Sequence, residues 1–62
     1  VTPFTQFSML PLDVQMRAKL DAAIAAGLPA HMWSFYDLDP ATRRAVYETA
    51  VTSYYAGRGN RA

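Results

Sequence analysis

The chain has no cysteine, one histidine and one tryptophan, and only three glycines among its 62 residues. Without cysteine no disulfide can staple the fold, and a lone His31 leaves a structural metal short of strong ligands. Gly27, Gly57 and Gly59 have neither the spacing nor the following helix of a phosphate loop or a dinucleotide fingerprint. A formal net charge of +1 gives no strong field toward DNA, an anionic membrane or an acidic substrate.

Long hydrophobic runs are missing as well. The longest uncharged stretch, Ala22 to Tyr36, contains Gly27, Pro29 and His31, and it falls short of the roughly eighteen apolar residues that suggest a membrane span. The opening "VTPFTQFSMLPL" lacks the basic segment that begins a signal peptide. Because the chain opens on Val1, processing and excision from a longer chain both stay open. Cysteine-free composition fits a reducing compartment, so the expected location is the cytoplasm. Alanine richness would suit a small phage or bacterial protein, and for a phage protein the virion is the alternative location.

What is present is helix-forming. Eleven alanines and the absence of strand-like alternation predict an all-α fold, a small three-helix domain in the order long, short, long. One long helix is expected from about Pro11 to Ala26, stopped by Gly27 and Pro29. A short helix is expected over Ala30 to Tyr36. The last should start with Asp39 as N-cap and Pro40 at N1, and run to Ala56 with Gly57 as a left-handed stop. Residues 1–11 read as an N-terminal hydrophobic arm or a short helical turn capped by Thr2, residues 12–57 as the helical domain, and residues 58–62 as a flexible basic tail.

On the first long helix Leu12, Met16, Leu20, Ala23 and Ile24 share one face, the expected core face, with a shallow stripe of Val14, Ala18, Ala22 and Ala25 opposite. The last helix carries Val46, Tyr47, Ala50, Val51, Tyr54 and Tyr55 on its apolar side. In the short helix Met32, Phe35 and Tyr36 should fall together at a period of 3.6, with Trp33 a quarter-turn away.

A domain of this length buries only about 60% of its unfolded surface and needs a further source of stability. With disulfides excluded and a structural metal short of ligands, association is what remains. Tyrosine, tryptophan and methionine are the residues enriched where proteins bury one another's surface. The expected partner-binding residues are therefore Phe4, Phe7, Met32, Trp33, Tyr36, Tyr47, Tyr54 and Tyr55, facing a protein partner or a second copy. Phe4 and Phe7 belong to an uncharged segment that must either fold back over the long helices or dock on another subunit.

Chemistry finds few footholds. His31 and Ser34 lie one turn apart but lack the orienting acid and oxyanion donors of a triad, and "HMWSFYDLD" has no metal-ligand spacing. No cofactor and no catalysis are expected. The preferred reading is a small non-catalytic protein-binding module, an accessory or structural subunit of a larger assembly.

The alternative is a small DNA- or RNA-binding regulator. Ala23, Gly27 and Trp33 loosely resemble the spacing of a helix-turn-helix, yet "PAHMWSFYD" lacks the Arg, Lys, Asn and Gln that read bases. Candidate anion or nucleic-acid contacts are Arg43, Arg44, Arg58 and Arg61. The first two sit near the start of a helix, where the macrodipole disfavours positive charge, so Asp37, Asp39 or an acidic partner surface should compensate.

Overall fold

The computed structural model describes residues 2–59, which form four helical elements and, among the described residues, no strand. In chain order they are α1 (Pro3–Ser8), α2 (Leu12–Ala25), the 3₁₀ helix η1 (Met32–Asp37) and α3 (Pro40–Gly59). The all-α class and the long, short, long order hold from α2 onward, with α1 as an added turn in front.

Several starts and stops have a local cause. The Thr2 hydroxyl accepts from the Thr5 N–H at 3.1 Å, and Pro3 fills the first helical position, so the N-terminal segment coils into α1. Gln15 donates from its side-chain amide to the Ser8 carbonyl at 3.1 Å and to the Leu10 carbonyl at 2.7 Å, which fixes the turn between α1 and α2. At the far end of α2 the N–H of Leu28 bonds to the Ala23 carbonyl and that of Gly27 to Ile24, both at 3.0 Å. This is the paired-bond glycine stop, and Gly27 takes the left-handed φ of 77° that it needs.

The core is small. Phe7, Leu10 and Val51 form its buried centre, with Val14, Ala18, Tyr47, Ala50 and Tyr54 packed around them. Residues 3–10 thus fold back over the long helices rather than standing off as an arm. Phe7, expected at a partner surface, is buried in the chain's own core. Ala23, Ser34 and Phe35 are the other buried residues.

Three further expectations are corrected. α3 passes through Gly57 as far as Gly59, the last described residue, so Gly57 is not a left-handed stop and the backbone of Arg58 is helical; the remainder of the expected tail, residues 60–62, lies outside the described residues. A glycine permits termination without requiring it, and continuing the helix forms one more backbone bond per residue. Segment 32–37 is a 3₁₀ helix, whose period of three pairs Met32 with Phe35 on the inner side and Trp33 with Tyr36 on the outer. Tyr36 therefore does not share a face with Phe35.

The third concerns α2. Of the expected core face only Ala23 is buried and Leu20 half-buried, whereas Leu12, Met16 and Ile24 are exposed. It is the small-residue stripe of Val14, Ala18 and Ala22 that is half-buried, with Val14 and Ala18 packed on the α1 and α3 core. Small side chains let those elements approach, and they took the contact that the larger ones were expected to make.

Candidate partner-binding site

The open face of α2 has a geometric origin. η1 packs on α2 near Lys19, where the lysine ammonium donates to the Tyr36 hydroxyl at 2.7 Å and lies 5.2 Å from that ring's centroid. Six residues of 3₁₀ helix span about 12 Å, while the fourteen residues of α2 span about 21 Å. The covering element is shorter than the face it covers. Leu12 remains 69% exposed, Met16 43% and Ile24 53%.

Between the uncovered part of α2 and the entry to η1 lies a shallow groove of 550 Å³, lined by Met16, Leu20, Ala30, His31 and Met32, with Asp13 and Arg17 on its rim. His31 shapes its edge. The imidazole Nδ1 accepts from the Trp33 N–H at 3.1 Å, so the histidine caps η1 in the way a serine or aspartate would. Arg17, at the groove's border, pairs with Asp21 at 3.3 Å along the helix.

One residue past Met32, Trp33 is 64% exposed, leaning on Tyr36 with ring centroids 5.7 Å apart. Phe35 closes the inner side and meets Tyr36 edge-on at 5.4 Å. Aromatic groups of this size, presented on a short and well-anchored element, give contact area with little side-chain entropy to lose.

The remaining candidates are spread over other surfaces. Tyr47 is the half-buried hub of an aromatic cluster, its ring 5.5 Å from Phe4, 4.8 Å from Phe7 and 5.6 Å from Phe35. Tyr54 packs on the core and meets the exposed Tyr55 edge-on at 5.4 Å. Phe4 is exposed at the other end of the molecule's aromatic cluster. The eight candidates are not one patch: Met32, Trp33 and Tyr36 cluster at η1, and of the rest only Phe4 and Tyr55 are exposed. What residue-by-residue reading missed is the Leu12 and Met16 face, because its period of four marked it as core.

Arg43 and Arg44 both come to the start of α3. No carboxylate lies within 4 Å of the Arg43 guanidinium among the described residues; instead it donates to the Tyr36 carbonyl at 3.3 Å, at the end of η1. Arg44 reaches Glu48 at 3.9 Å along the helix. Asp39 does not neutralise them. Its carboxylate accepts from the Thr42 hydroxyl, which together with the first-turn N–H groups holds it below the ordinary carboxylate value. Arg61 lies outside the described residues, as does the side chain of Arg58.

His31 and Ser34, one turn apart in sequence, have separate surroundings. Ser34 is buried, the Nδ1 of His31 is engaged by the backbone, and among the described residues no three of His, Cys, Asp and Glu converge. The helix-turn-helix spacing is also unfulfilled: Ala23 is buried and Gly27 turns, but Trp33, which should pack between two helices, faces solvent and Phe35 takes the inner place. No described helix is long and apolar enough to cross a membrane. Comparison with family models, curated proteins and solved structures gave no match.

Proposed function

We propose that the chain is a small, non-catalytic protein-binding module, an accessory or structural subunit that takes an apolar protein surface along the open face of α2 beside η1. The observation that carries this reading is the incomplete cover of that face. Leu12, Met16 and Ile24 continue the line of Leu20 and Ala23, yet among the described residues they are covered only in part and stay 69%, 43% and 53% exposed. Fully burying one side chain of this size is worth about 1.5–3 kcal/mol, so three or four of them, with Trp33 alongside, suffice for the centre of an interface. The Asp13 and Arg17 rim supplies the polar border that such interfaces have.

Sedimentation over a range of concentrations, paired with binding of a hydrophobic dye, tests the proposal. The wild-type chain should self-associate or light the dye, and Met16→Asp, at an exposed position that spares the fold, should abolish either signal. A wild-type chain that stays monomeric at every concentration and leaves the dye as dark as Met16→Asp does would overturn the reading.

A further inference from the structure

A second surface, remote in chemistry from the α2 face, lies between α1 and the start of α3. There a cleft of 380 Å³ has apolar walls formed by Pro3, Phe4, Pro40 and Tyr47, with Arg43 and Arg44 also lining it and no carboxylate among the lining residues. Phe4 stands half out of the fold with its edge against Tyr47. Tyr47 in turn is held by Phe7 and Phe35, so this wall is anchored in the core.

The two arginines have unspent capacity. A guanidinium offers five N–H donors, yet the hydrogen bond of Arg43 is a single one to the Tyr36 carbonyl, and Arg44 makes only the long 3.9 Å contact with Glu48. Both sit near the start of α3, where the helix field works against positive charge. Among the described residues neither guanidinium forms a close carboxylate pair, so both keep donors that an external anion can take.

We propose that this cleft binds an acidic peptide segment, in which a carboxylate engages Arg43 and Arg44 while a neighbouring apolar side chain lies on Phe4 and Tyr47. Charge complementarity selects the acidic partner, and the apolar walls select a peptide over a phosphate backbone. Nucleic acid would need a run of cations along its path; here the cleft offers two arginines on a chain of net charge +1. This site is distinct from the α2 face and stands or falls separately from it.

Fluorescence anisotropy with a short labelled peptide of alternating aspartate and leucine tests the proposal on the whole chain. Saturable binding is expected, weakened at least about tenfold by R43Q/R44Q, since charge-assisted hydrogen bonds are lost. Phe4→Ala should weaken it as well, and a peptide with asparagine in place of aspartate should bind poorly. Met16→Asp should bind the acidic peptide like wild type, which separates this site from the α2 face. Arg44→Gln alone, at an exposed side chain, serves if the double variant loses its circular dichroism. Absence of saturable binding, indifference to the arginine substitutions, or tighter binding of a single-stranded oligonucleotide than of the peptide would each overturn the proposal.

Discussion

Phe35 and Trp33 stand two residues apart, and their surroundings could hardly differ more. Phe35 is fully buried between η1 and the aromatic hub at Tyr47, so Phe35→Ala should cost about 3–5 kcal/mol, enough to unfold a domain this small. Trp33→Ala removes one exposed ring contact with Tyr36 and should change stability by less than about 1 kcal/mol. Urea midpoints of the two variants measure the contrast. In sequence the two are both aromatic residues in one crowded segment, and only the 3₁₀ period of three sorts them. That period is chosen by the packing of η1 on α2, which composition does not reveal.

At the level of elements, the beginnings of helices are legible and their coverings are not. Thr2 with Pro3, Asp39 with Pro40, and Gly27 each act through bonds within a few residues, so the sequence states them directly. The partner of an α2 face depends instead on how far another element reaches, and the short η1 leaves Leu12 and Met16 where a core was expected. Asp39 carries a further consequence for the start of α3. Its carboxyl is held below the ordinary value chiefly by the Thr42 hydroxyl; desolvation opposes this, and backbone N–H groups at the start of the helix each add a lesser lowering. A depressed folded value means that its stabilisation is present above the unfolded value and is lost as pH falls through the folded one. Helix content should therefore fall below about pH 4, and Asp39→Asn, still a good cap, should flatten that part of the profile. Far-UV circular dichroism of the two proteins against pH checks the difference.

As a whole the molecule is an elongated body, 37 by 22 by 16 Å, with 4397 Å² of accessible surface. A chain of this mass is expected to expose about 4,000 Å², so the excess agrees with eight large hydrophobic side chains left outside. The isolated chain should unfold with a shallow urea dependence, an m-value at or below about 1 kcal/mol per molar, because little surface is buried to begin with. Denaturation followed by circular dichroism measures it. A steep transition typical of a much larger domain would mean that the open face is already covered by a second copy.

Lys19 is the only lysine in the chain. Its ammonium clasps η1 to α2 through both the hydroxyl and the ring of Tyr36. Acetylation would remove the charge and the ring contact together. Any ε-amine acylation would consequently strike this clasp and no other lysine, leaving the hydrophobic layers as they are while loosening the element that presents Trp33.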